Sequence, residues 1–111
     1  MAAEAAAVVT QYFARMRARD PSVADLFHED ASLIGLGSVR SGKAAIREFY
    51  EGSIRGASPS PTLIGEILAS GSRVAAEIRI SLTNGAPIHA VDIFVVEDGL
   101  IRSLTYFIAD H

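Results

Sequence analysis

IHAVDIFVVEDGLIRSLTYFI, residues 88–108, decides how this chain folds. Asp-Gly between two runs of β-branched and aromatic residues is a strong short-range hairpin signal. The segment therefore predicts two antiparallel strands turning at Glu97-Asp98-Gly99. Side chains alternate between faces along a strand. Ile88, Ala90, Asp92, Phe94 and Val96 share one face, and His89, Val91, Ile93, Val95 and Glu97 the other. Asp92 is then a single carboxyl in an apolar row. Ionised and unpaired, it is costly to bury; protonated or firmly hydrogen-bonded, it is tolerable. Such a group needs a reason, and a pocket is the reason that fits.

Outward from the hairpin, residues 73–83 alternate Val74, Ala76, Ile78, Ile80 and Leu82 against Arg73, Glu77, Arg79 and Ser81. Asn84-Gly85 supplies a second hairpin signal. Residues 62–69 read as one further strand behind the breaker GASPSP (56–61). Before it lies a helix over about 42–54, capped by Ser41. Ile46, Phe49, Tyr50, Ser53 and Ile54 form its apolar stripe, and Lys43, Arg47, Glu48 and Glu51 its wet side. Residues 31–36 read as a short strand between a polar turn, His28-Glu29-Asp30, and a glycine-rich loop. Asp20-Pro21 opens a short helix that buries Val23, Ala24 and Phe27. Residues 3–19 form an amphipathic helix with Ala5, Val8, Val9, Tyr12, Phe13 and Met16 on one face. Helices first and a strand meander afterwards predict an α+β domain spanning 1–111, with three N-terminal helices on one face of a curved antiparallel sheet. An apolar pocket between helices and sheet is the expected ligand site.

Composition removes several function classes. The 111 residues carry ten basic and thirteen acidic side chains, a net charge of −3 with no run of like charge, which argues against nucleic acid or an anionic membrane surface as partner. With no cysteine, disulfides, thiolate metal sites and cysteine nucleophiles are excluded. His28, His89 and His111 are not at metal-ligand spacing, so no metal or cofactor is expected. The alanine-rich start carries Glu4 and no basic region, and no apolar stretch approaches membrane-spanning length. A cytoplasmic location is the expectation.

AVVTQY (7–12), LFHEDA (26–31), RSGKAAIREFY (40–50) and VDIF (91–94) carry a resemblance that covers nearly the whole chain. Together they resemble the ketosteroid isomerase branch of the nuclear-transport-factor-2-like superfamily, next to the SnoaL-like polyketide cyclases. The resemblance implies a cystatin-like cone that pairs sheet faces into homodimers. It also implies an enolate oxygen held by Tyr12 and a neutral Asp92, with Tyr50 hydrogen-bonding Tyr12 from behind. Phe27, Phe49, Phe94, Leu104, Tyr106 and Ile108 are the candidate pocket walls around a small hydrophobic ligand, a steroid-like or polycyclic ketone.

The departure from the family is the base. Five residues on from Asp30, where the pattern has its proton-shuttling aspartate, stands Gly35, and no carboxylate falls within residues 33–39. Glu66, Glu77, Asp110, His111 or a water in the space left by Gly35 are the candidate substitutes. On this reading a Gly35→Asp variant would restore the base. An enzyme with a relocated base, a related cyclase and a catalytically silent binding module all remain open. An epoxide-hydrolase-like activity would need an Asp-Arg-Asp set that the sequence does not offer.

Overall fold

The computed structural model describes residues 2–109. Asp110 and His111, two of the candidate bases, lie outside the described residues. Helix α1 (Ala2–Arg17) buries Ala5, Val9, Tyr12, Phe13 and Met16, and carries Glu4 in its first turn and Arg15 and Arg17 in its last, as the helix dipole favours. A 3-10 helix (Pro21–Leu26) follows. Asp20 caps it by accepting from the Ser22 backbone N–H at 2.9 Å. Phe27 belongs to the next element rather than to this helix.

Strand β1 (Phe27–Gly35) is longer than expected, because His28, Glu29 and Asp30 are part of it. The β1 register slips between Phe27 and Ser32, so this polar run bulges out of the ladder, which gives it the look of a turn in sequence. The expected loop over 35–42 is a hairpin into β2 (Ser38–Ser41), turned by Leu36 and Gly37 at φ 52° and 75°. A leucine at positive φ is unfavourable, and that is why no turn was legible there. Helix α2 (Lys43–Ala57) starts at Gly42 (φ 93°) and not at a Ser41 cap; Ser41 is occupied pairing with Ser32 in the β1–β2 ladder.

The expected strand over 62–69 is two short ones, β3 (Ser60–Leu63) and β4 (Leu68–Ser70), with Gly65 at φ 80° in the bend between them. Both pair with β5 (Arg73–Leu82). Strands β6 (Gly85–Glu97) and β7 (Leu100–Ile108) complete the hairpin, with Asp98 and Gly99 both at positive φ as an Asp-Gly turn requires. The β5–β6 turn is made by Thr83 and Asn84, with Gly85 already in the strand.

The sheet order is β2-β1-β7-β6-β5-β3, with β4 also on β5. Every pair is antiparallel except β1–β7, which is parallel. The reason is topological: α2 links β2 at one edge to β3 at the other, and the meander then runs back until its last strand meets β1. The inner face, with Leu33, Val74, Phe94 and Leu104 in one cross-strand row, packs against the helices around Phe13, Phe27 and Ile46. Each such fully buried side chain stabilises the fold by roughly 1.5–3 kcal/mol.

Candidate active site

Between α1, α2 and the inner face of the sheet lies a cavity of about 240 Å³. Its walls are apolar, from Phe13, Met16, Leu33, Phe49, Ile78, Ile80, Ile88, Leu104 and Ile108. Among the described residues its polar groups are few: Asp92, Ser53 and the chain's three tyrosines, Tyr12, Tyr50 and Tyr106.

The tyrosines come from three elements. Tyr12 and Tyr50 face each other from α1 and α2, with hydroxyls 2.8 Å apart. Tyr12 packs edge-on to Phe13 and Phe94, both at 5.1 Å between ring centres. Phe27 lies at 6.3 Å from Tyr12 and 6.0 Å from Tyr50. Phe27 and Phe94 are therefore not cavity walls, as the sequence reading has them. They are fully buried one layer behind, where they fix the two phenol rings. Burial, above all, pushes both phenols above their ordinary range. Nearby Tyr50, Asp92 and Tyr106 add to the shift for Tyr12, whereas the Tyr12 hydrogen bond works against it for Tyr50. Both phenols stay protonated at neutral pH and act as neutral donors.

Asp92 lies on β6 opposite Tyr106 of β7, both pointing inward. It is 5% exposed and makes no hydrogen bond among the described residues. Its open side is the cavity. Burial alone raises its carboxyl from the ordinary 3.8 to about 7, so it is about half protonated at neutral pH and largely a neutral acid below it.

The base position is closed. A Cβ built on Gly35 would stand 2.4 Å from two ring carbons of Tyr106, so the phenol ring lies over the glycine. Gly35 is buried and does not line the cavity; Tyr106 does. A water cannot occupy that space, and a Gly35→Asp change would meet the ring before presenting a carboxylate. Glu66 lies exposed in the β3–β4 bend, and Glu77 lies on the outer sheet face, 2.6 Å from His89. Neither lines the cavity. Lys43 pairs with Glu29 at 3.6 Å, and the Arg40 guanidinium stacks 4.4 Å over the Phe49 ring.

The sequence of residues 9–104 matches the SnoaL-like domain family. This chain is a SnoaL-like domain. No protein of curated function matches it. Its nuclear-transport-factor-2-like fold is shared with solved structures of low identity. A protein proposed to be a ketosteroid isomerase, from Kribbella flavida, superposes with a TM-score of 0.88 at 21% identity, over 99% of this chain and 81% of its own. An LEH-like epoxide hydrolase of M. tuberculosis gives 0.87 at 18% identity, over 97% and 84%. A protein proposed to be a polyketide cyclase, from Sinorhizobium meliloti, gives 0.81 at 22% identity, over 90% and 93%.

Several walls of the SnoaL-like domain's cavity were not singled out in sequence. Pro59 and Pro61 read as chain breakers, yet both line the cavity. Leu36, 62% exposed at the β1–β2 turn, also lines it. Nothing local marks them; Pro59 and Pro61 reach the site where the chain passes from α2 into β3, and Leu36 from the β1–β2 turn. Among the described residues no group of three or more histidine, aspartate or glutamate side chains could hold a metal, and no helix is long and apolar enough to cross a membrane.

Proposed function

We propose that this domain binds a small apolar ketone and stabilises its enol or enolate, in the manner of a ketosteroid isomerase without the usual aspartate base. The observation that carries the reading is Asp92: a buried carboxyl with its pKa raised to about 7 and no hydrogen-bond partner among the described residues, aimed into an apolar cavity beside the Tyr12–Tyr50 pair. A carbonyl oxygen is the partner such a group lacks. If Tyr50 donates to Tyr12, the Tyr12 hydroxyl proton is left for the ligand. Asp92 and Tyr12 then form two neutral donors to one oxygen, where water is scarce, and one such donor is worth about 3 kcal/mol in an enolate-forming transition state.

A second reading uses the same atoms. A carboxyl near 7 is matched to proton transfer at neutral pH, so ionised Asp92 could itself take the proton alpha to the carbonyl, as a cyclase of this fold would require. Among the described residues the cavity lining holds no arginine and no second carboxylate, which leaves an epoxide-hydrolase-type Asp-Arg-Asp set without support there.

The test is calorimetric titration with 2-tetralone at pH 6 and pH 8.5, together with exchange of its alpha protons in D2O. A ketone oxygen only accepts, so the enolate-hole reading expects tight binding at pH 6 and about tenfold or more weakening at pH 8.5. The same weakening is expected in Tyr12→Phe, and Asp92→Asn should erase the pH dependence. Exchange that rises above pH 7 and vanishes in Asp92→Asn would favour the proton-taking reading. Binding indifferent to pH and to both changes would defeat both readings.

The family's pairing into homodimers is part of the proposal. An apolar row crosses the outer sheet face through Val39, Ile34, Thr105 and Ile93, with Phe107 beside it; Val39 and Phe107 are 62% and 56% exposed. Sedimentation equilibrium should give twice the chain mass, and a monomer at high concentration would contradict it.

A further inference from the structure

We propose that Tyr106, lying on Gly35, is a size filter that restricts this site to ketones of one or two rings. The inference rests on the ketone-binding reading above and adds what that reading leaves open, the size class of the ligand.

Three observations carry it. The first is volume. A dry apolar cavity of roughly 150 Å³ accepts one benzene ring, and sites for drug-sized molecules run from roughly 300 Å³ upward. At about 240 Å³, the cavity lies between those two figures, a volume that suits two fused rings better than a four-ring skeleton. The second is what limits it. Tyr106 lines the cavity while Gly35 is buried and does not, so the ring stands between the ligand space and the β1 backbone. The third is why the ring can stand there. Its far edge occupies the place where any other residue at position 35 would put its Cβ, at 2.4–2.6 Å from three ring carbons. Only glycine admits it without displacing the ring. Position 35 and position 106 are therefore one device: the missing side chain on β1 makes room for the ring on β7, and the ring shortens the cavity.

The geometry is anchored at both ends. Leu33 and Leu104 pair across the parallel β1–β7 ladder, which fixes Gly35 beside Tyr106 two residues further on. Tyr106 also pairs with Asp92 across β6–β7, so a ligand held at Asp92 necessarily lies next to the ring. Removing the ring opens a space on the order of that one-benzene cavity. That brings the site into the range of larger ligands.

The experiment is calorimetric titration at pH 6 with cyclohexanone, 2-decalone and a 3-keto steroid, using the wild type, Tyr106→Ala, Tyr106→Phe and Gly35→Ala. The wild type should favour 2-decalone over the steroid by at least about tenfold. Tyr106→Ala should reverse that order, and Tyr106→Phe, which keeps the ring, should keep it. Gly35→Ala pushes the ring toward the ligand and should weaken 2-decalone about tenfold while sparing cyclohexanone. Circular dichroism and a melting curve for each variant separate a changed site from a lost fold, and the ring-keeping Tyr106→Phe serves if Tyr106→Ala does not fold. Equal affinity of the wild type for 2-decalone and the steroid, or an order unchanged in a folded Tyr106→Ala, would overturn the filter. If no ketone binds, or binding ignores Asp92→Asn, the ketone-binding reading itself fails, and the two failures are distinguishable.

Discussion

Asp92 and Glu77 are one rung apart in the β5–β6 ladder, where Ala76 faces Asp92 and Glu77 faces Val91. They lie on opposite faces of the same sheet. Asp92 is buried under the helices and faces the cavity, with no hydrogen-bond partner among the described residues and a carboxyl pushed up to about 7 by burial. Glu77 is exposed and paired with His89 at 2.6 Å. A single step along a strand therefore separates a carboxyl that costs stability from one that costs nothing. The difference teaches that the face of the sheet alone decides whether a carboxyl is solvated or buried. The fold carries an energetic burden at Asp92, which on the proposed reading a carbonyl ligand relieves.

The largest effect should come from the packing that holds Asp92's surroundings. Phe94→Ala removes a fully buried ring in contact with Tyr12 and Phe13, and should cost 3–5 kcal/mol in urea denaturation. A cost under about 1 kcal/mol would mean that the inner face is not the packed side. Next comes pH. Because the folded carboxyl is raised from 3.8 to about 7, the unfolded chain releases its proton first as pH rises. The contribution of Asp92 is intact below pH 4 and is lost as pH climbs through 7, up to about 4 kcal/mol in all. Asp92→Asn should flatten that limb of the stability profile and exceed the wild type above pH 7. The smallest effect belongs to the outer face. Glu77→Gln should change stability by less than about 1 kcal/mol, and less still in high salt. A larger loss would erase the contrast between the two carboxyls.

Much of this was legible in the sequence, and the reason is periodicity. The two-residue alternation along residues 88–97 placed Asp92 in its apolar row, and Asp98-Gly99 fixed the hairpin register on which that row depends. Tyr12 and Tyr50 fell on buried helix faces by the same reasoning at helical spacing. What was not legible involved tertiary contact between distant segments. The Leu36-Gly37 turn defies local preference, and the parallel β1–β7 pair is set by where α2 carries the chain. The closed base position needed both: Gly35 alone suggests a vacancy, and only the β1–β7 register shows Tyr106 filling it. Phe94 lies one layer behind the cavity wall, since alternation gives the face of a side chain and not its depth, and Phe27 likewise lies behind it because burial alone does not say what a side chain is buried against.

The central claim is that Asp92 is a neutral acid in an apolar site. Its most direct test is a pH titration of the Asp92 carboxyl carbon by 13C NMR, assigned through Asp92→Asn. The account predicts a midpoint near 7 in the free protein, shifted upward when a ketone is bound, because the oxygen favours the protonated form. A midpoint near the ordinary 3.8, unmoved by ketone, would show an ionised, solvated carboxylate and contradict the site described.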